Sequence, residues 1–194
     1  MIAVIDYNMG NICSLGHALQ RLGGEWKLTA DHQEILHADR VILPGVGNAG
    51  EAMENLNRLQ LPDIIRMIRR PVLGICVGMQ VMCRSSEESD TECMGIFDAK
   101  VKRFPEMPEL KIPHMGWNRL SNMESRLFKD IKRGEYVYFV HSYYAPLCPD
   151  TIATSRHPDL FSAALKYENF YGVQFHPEKS GETGEKILSN FLKL

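Results

Sequence analysis

The 194-residue sequence predicts an α/β fold: a mixed, mainly parallel central sheet flanked by helices, with a smaller antiparallel part. Three observations predict it. Short, continuously apolar runs at 2–6, 41–43 and 72–75 have the character of strands buried on both faces. Each run is followed by turn-forming residues and then by a helical pattern, as in βαβ units. After residue 95, runs rich in aromatic and β-branched residues at 136–140, 152–154 and 170–175 predict antiparallel or mixed strands.

Residues 2–6 (IAVID) read as a first strand entering the turn NMGN. From Asn11 to Leu22 the apolar positions Ile12, Leu15, Ala18, Leu19 and Leu22 recur at helical spacing, and Gly23-Gly24 ends the helix. A strand near 25–29 is followed by one at 41–43, which Pro44 cuts off. Helices are predicted over 49–56, 63–68 and 78–84, with a buried strand at 72–75 between the last two. A closing helix over 182–194 puts Ile187, Leu188, Phe191 and Leu192 on one face. Pro105, Pro108 and Pro113 bracket a loop without linker composition, and there is no repeat, so residues 1–194 read as a single domain.

Composition removes whole classes of function. Hydrophobic residues at 44% and charged residues at 24% are ordinary for a globular chain rather than a disordered one. Net charge is −2, so no global basic field draws the protein to nucleic acid or anionic lipid. No apolar run approaches the roughly 18 residues a membrane span needs, and the start, MIAVIDYNMGN, lacks the basic region of a signal peptide. Five cysteines without a CxxC pair argue against a disulfide framework or zinc knuckle and for a reducing, cytoplasmic setting. No HExxH or carboxylate cluster points to a metal.

The sharpest local signal is Gly74-Ile75-Cys76-Val77-Gly78, a buried strand running into G-x-C-x-G and a helix. This is the nucleophile-elbow layout with cysteine as nucleophile. The glycines allow close approach on a strained turn, the helix N-terminus favours thiolate, and the Val77 N–H faces a developing oxyanion. The plain alternative is a buried cysteine between helix-packing glycines. In His176-Pro177-Glu178, after a strand-like run, residues i and i+2 share a side, so Glu178 can orient the His176 ring as a base. Alone, that tripeptide could equally be a capped strand end. His141 competes as base but has no adjacent carboxylate. Residues 45–50 match G-x-G-x-x-G, the fingerprint of a nucleotide-binding module. They lie on the wrong strand for it, and Arg69 and Arg70 stand where the ribose-binding acid belongs. The favoured alternative is a glycine-rich strand end whose backbone amides supply the second half of an oxyanion hole. Gln80 falls one helical turn after Cys76. The acidic pair Glu87-Glu88 offers a carboxylate for holding a substrate ammonium, against the plain alternative of a solvated helix end.

The elbow GICVGMQ, the strand end PGVG and the late HPE together resemble the class I (triad-type) glutamine amidotransferases. The segments PGVGNAGEAM, SSEES, PHMGWN, YFVHSYY and GVQFHPEKSG are similar to the glutaminase subunits of imidazole glycerol phosphate synthases. The related subunits of anthranilate, aminodeoxychorismate and pyridoxal phosphate synthesis share elbow and triad but not PHMGWN and YFVHSYY. The resemblance implies a flavodoxin-like fold, Cys76, His176 and Glu178 as catalytic triad, and Val46, Gly47 and Val77 as oxyanion donors. It implies L-glutamine as substrate, held by Gln80, Glu88, Ser142 and Tyr143, with no cofactor. It also implies a heterodimer with a (β/α)8 cyclase that receives the ammonia, with Trp117, Asn118 and Tyr138 near the interface and Asn11 and Lys179 relaying its state. Departures are mild: Val77 stands where members commonly have leucine, Cys83 at a commonly apolar position, and Asn48 in place of a smaller residue.

Overall fold

The computed structural model describes residues 1–108 and 110–194. In chain order the elements are β1 (Ile2–Ile5), α1 (Ile12–Arg21), β2 (Trp26–Thr29), α2 (His32–His37), β3 (Arg40–Leu43), α3 (Ala49–Arg58), α4 (Leu61–Met67), β4 (Val72–Ile75) and α5 (Val77–Gln80). There follow β5 (Ser85–Ser86), β6 (Thr91–Glu92), β7 (Lys100–Arg103), β8 (His114–Arg119), β9 (Tyr136–His141), β10 (Tyr143–Tyr144), β11 (Thr151–Arg156), β12 (Leu160–Tyr167), β13 (Phe170–Val173) and α6 (Gly181–Phe191). Among the described residues, no helix is long and apolar enough to cross a membrane.

The main sheet has the order β11-β12-β13-β4-β3-β1-β2. Its neighbours from β2 through β1, β3 and β4 to β13 all pair in parallel, whereas β13, β12 and β11 pair antiparallel. Every residue of β1, β4 and β13 is buried, which is why these strands show unbroken apolar runs instead of alternation. The order reverses between β1 and β3. In open α/β sheets such a switch point locates ligand sites beyond the carboxyl ends of the strands. A four-stranded sheet, β10-β7-β5-β6, and the antiparallel pair β8–β9 stand apart from the main sheet.

Most expected elements form where the pattern puts them; the helix after Cys76 does not. Instead of 78–84 it spans only Val77–Gln80. Beyond it the chain is claimed by tertiary pairing: the Met82, Cys83 and Arg84 carbonyls accept from the amides of Ile96, Gly95 and Cys93. Residues 32–37 form a helix that the apolar pattern does not announce. Its signal is the cap, for Asp31 accepts from the Glu34 amide at 2.9 Å.

One close approach fixes the site end of the sheet. A Cβ on Gly78 would overlap the Leu43 carbonyl oxygen at the end of β3, and one on Gly45 would overlap the Gly78 amide. The loop after β3 and the turn after β4 therefore meet backbone to backbone. Gly74 is similarly restricted, since a Cβ there would stand 2.7 Å from the Gly78 carbonyl oxygen. Gly78→Ala is expected to cost about 1–3 kcal/mol of stability, the range for overpacking. Denaturant unfolding checks this, and an unchanged midpoint would mean the contact is not restrictive.

Candidate active site

The elbow is strained as the local sequence requires. Cys76 has φ 54° and ψ −111°, a conformation few non-glycine residues adopt, at a cost of about 1–3 kcal/mol. The neighbouring strand holds it there. The Cys76 amide donates to the Val173 carbonyl of β13 at 2.8 Å, and the Cys76 carbonyl accepts from Met79 and Gln80 at 3.0 and 3.1 Å. Among the described residues the Val77 amide makes no hydrogen bond, as expected for the first turn of a helix.

His176 follows β13 by three residues, and β13 lies beside β4 with Val173 opposite Ile75. That register brings His176 to Cys76 across 100 residues of chain. The His176 Nδ1 bonds Glu178 Oε1 at 2.8 Å, with both side chains almost wholly buried, at 2% and 3% exposure. Among the described residues the ring's other nitrogen, Nε2, has no partner of regular geometry, and it is the one left for Cys76. Burial opposes the imidazolium. Hydrogen bonding and charge from Cys76 and Glu178 outweigh it and raise the His176 pKa to about 10. His141, the competing base, is pushed the other way, down to about 3, chiefly by burial, and its Nδ1 donates to the Tyr143 carbonyl at 2.7 Å. Of these two rings, His176 is the one that favours its charged form and faces Cys76.

Cys76 and His176 share a pocket of about 270 Å³ with Val46, Gly47, Val77 and Gln80, and with Glu88, Ser142 and Tyr143. The volume suits an amino acid better than a peptide or nucleotide. The Gln80 amide donates to the Tyr143 carbonyl at 2.9 Å and to Gln174 Oε1 at 3.0 Å, while Gln174 donates to the Cys76 sulfur at 3.7 Å. Glu88 sits in a single 3-10 turn and accepts from the Ala49 amide at 2.7 Å. Burial raises its pKa, with the Ala49 bond pulling against the rise. Asn48 caps α3, accepting from the amides of Gly50 and Glu51. With these α3 amides already taken, the terminus offers a pyrophosphate little, and the nucleotide reading of residues 45–50 loses its physical basis. No group of three or more His, Cys, Asp or Glu able to hold a metal occurs among the described residues.

The remaining candidates divide. Asn11 caps α1, accepting from the Ser14 amide. Trp117 is 56% exposed and meets Tyr138 edge to face at 6.0 Å. The Tyr138 carbonyl accepts from the His176 amide at 2.9 Å, which ties this face to the triad. Lys179 is exposed just after Glu178. The Asn118 side chain turns inward, donating to His114 Nε2 and to the Arg156 carbonyl. Sequence reasoning passed over Tyr7 and Gln174. Buried Tyr7 donates to the Pro44 carbonyl at 2.5 Å and so pins the strand end beside the pocket. The extended alternation expected to pair His176 with Glu178 does not form: β13 stops at Val173, and a 3-10 turn over Pro177–Lys179, opened by the fixed φ of Pro177, folds the Glu178 carboxylate back onto the ring.

A strained cysteine, a histidine raised in pKa, a buried carboxylate and free amides around a small pocket define a class: thiol-dependent amide hydrolases of triad type. The model of the glutamine amidotransferase class-I family matches residues 3–194. The chain is 53% identical over 194 residues to the imidazole glycerol phosphate synthase subunit HisH of Bacteroides thetaiotaomicron, covering 100% of this chain and 99% of that one. It is 43% identical over 195 residues to the protein of the same name from Yersinia pseudotuberculosis, at the same coverage. Among solved structures it resembles a putative GMP synthase protein from Thermoplasma acidophilum, with TM-score 0.77, 25% identity and coverage of 99% and 92% of the two chains. The chain belongs to the class I glutamine amidotransferases.

Because Glu178 is one of the two groups holding His176 in its charged form, Glu178→Gln is expected to lower the ring's pKa. The imidazolium would then be lost at lower pH than in the parent. An NMR titration of the His176 ring checks this; an unmoved titration would show that Glu178 only packs against the ring.

Proposed function

We propose that the protein is the glutaminase subunit of an imidazole glycerol phosphate synthase, one amidotransferase domain over residues 1–194 acting in histidine biosynthesis. The observation that carries the reading is the pairing of His176 with buried Glu178 in the amino-acid-sized pocket that holds Cys76. Full-length likeness to proteins named as that subunit supports it.

On this reading the Cys76 thiolate attacks the side-chain amide carbon of glutamine, forming a carbon–sulfur bond. The oxyanion is met by the amides of Val77 and of Val46 or Gly47. His176 gives its proton to the nitrogen as the carbon–nitrogen bond breaks and ammonia leaves. Water then attacks the thioester, losing its proton to His176 while the carbon–sulfur bond breaks, and glutamate is released. Glu178 keeps the ring oriented. Gln80, Glu88, Ser142 and Tyr143 hold the α-amino and α-carboxylate end, and the small volume of the pocket favours a free amino acid over a peptide.

Ammonia released into water at neutral pH would be protonated and non-nucleophilic, so it must pass directly to its acceptor. The exposed apolar residues Met115, Trp117 and Tyr136 lie on β8 and β9, the pair whose Tyr138 carbonyl accepts from the His176 amide, and suit docking of a partner. That partner is a (β/α)8 cyclase, forming a heterodimer in the cytoplasm. It combines the ammonia with a phosphoribulosyl-formimino-carboxamide ribotide and releases imidazole glycerol phosphate and an aminoimidazole carboxamide ribotide.

Cys76→Ala is expected to abolish glutamine-dependent synthesis by the complex and to spare synthesis from ammonium salt. Loss of both would make Cys76 structural. Because the Glu88 pKa is raised by burial, the carboxylate is lost at a higher pH than an exposed glutamate's. The KM for glutamine should therefore climb as pH falls through that range, and Glu88→Gln should flatten the climb. Equal profiles would remove Glu88 from substrate binding.

A further inference from the structure

The histidines of β8 and β9 have no part in the chemistry above, yet they are buried and fully bonded. His114 and His141 are opposite one another in the β8–β9 register and each is 6% exposed. His114 Nδ1 lies 3.1 Å from His141 Nε2, His114 Nε2 lies 3.1 Å from Asn118 Nδ2, and His141 Nδ1 lies 2.7 Å from the Tyr143 carbonyl.

Hydrogen-bond chemistry allows these contacts one direction only. The Tyr143 carbonyl can only accept, so His141 carries its proton on Nδ1 and its Nε2 accepts. His114 must then donate from Nδ1, which leaves its Nε2 to accept from Asn118. The Asn118 amide is itself oriented by its surroundings. Its nitrogen also donates to the Arg156 carbonyl at 2.9 Å, and its oxygen accepts from the Arg119 amide at 2.8 Å. Burial, reinforced by neighbouring histidines, holds His114 down to about 4 and His141 to about 3, so both rings are neutral, as a one-way chain requires. Stacking fixes the His114 ring plane, with His157 at 4.1 Å and Phe139 at 5.0 Å between centroids.

The chain ends on the Tyr143 carbonyl, which also accepts from Gln80. Gln80 in turn reaches Gln174 and, through it, Cys76. We propose that Asn118, His114 and His141 are positioning residues that fix the Tyr143 carbonyl, and with it Gln80, for binding the α-end of the substrate. The relay rests on the reading of the pocket as a glutamine site. It starts on β8 between the outward-facing Trp117 and Arg119 and ends inside the pocket without touching the reacting atoms.

Two measurements on the full chain test it. In the unmutated protein, ¹⁵N NMR of the rings should show both His114 and His141 as the neutral Nδ1–H tautomer, opposite to the preference of free histidine. Either ring in the Nε2–H form overturns the relay without any variant needing to fold. In the complex with its cyclase, His114→Phe keeps the stacking and removes both hydrogen bonds, and Asn118→Leu removes the first donor. Each should raise the KM for glutamine by about tenfold, the equivalent of one hydrogen bond. The kcat should change by less than about twofold, and alkylation of Cys76 by iodoacetamide, which does not use the α-end, should be unaffected. Unchanged KM in folded variants overturns the proposal, and so does a parallel fall of kcat and alkylation, which would mark a general structural role. If the unmutated complex fails to release glutamate from glutamine, it is the glutaminase reading that falls. If it succeeds while the variants keep their KM, the relay alone falls.

Discussion

The backbone contact between the end of β3 and the turn after β4 is the constraint from which the site follows. With no side chain at Gly45 or Gly78, the Leu43 carbonyl and the Gly78 amide region can approach until nothing fits between them. That proximity places Val46 and Gly47 beside the Cys76 turn, so that amides from two strands face one pocket. It also turns the chain back sharply enough to leave Cys76 in a positive-φ conformation, held by Val173 on the other side. An exposed turn would relax such strain. Here the flanking strands over-determine it, which is how strained residues persist at functional sites.

Charge follows from this geometry. Glu178 is buried with one carboxylate oxygen bonded to His176 and the other without a partner among the described residues. A buried, half-satisfied carboxylate is costly unless a cation sits beside it. The His176 imidazolium is that cation, and the sulfur on its far side adds to the demand. The neighbouring His141, with the same intrinsic chemistry, faces a carbonyl and another histidine instead of a carboxylate, and stays neutral. Environment alone divides the two rings into a proton carrier and a fixed hydrogen-bonding group.

Which features were legible in the sequence depended on how local their causes are. The buried parallel strands and the long helices α1, α3 and α6 carry their own periodicity, and the elbow carries its own glycines. Cys76, His176 and Glu178 stood out for the same reason: G-x-C-x-G and H-P-E are each complete within a few residues. What escaped depends on partners far along the chain. The β12 segment, LFSAALKY, is rich in helix formers and becomes a strand because β11 and β13 bracket it. The two-residue strands β5, β6 and β10 exist only through their pairings. The shortened α5 yields to carbonyl bonds with residues 93–97. Tyr7 escaped because its importance lies in a bond to Pro44, 37 residues away.

The same division separates chemistry from recognition. Cys76, His176 and the strand end at 45–47 all issue from the carboxyl ends of adjacent parallel strands, so their spacing is set by sheet geometry. Ser142, Tyr143 and the exposed β8–β9 face come from the stretch between β4 and β13, which adds its own small sheets beside the main one. That stretch can vary without moving Cys76 relative to His176, because the strands that carry them pair directly. Where the two halves touch, Gln80 donates to the Tyr143 carbonyl at 2.9 Å and the Cys76 thiol lies 3.9 Å from the Val140 carbonyl. A change in that wall that moves the Tyr143 carbonyl reaches the Gln80 side chain, while the bond from the Cys76 amide to Val173 stays in place.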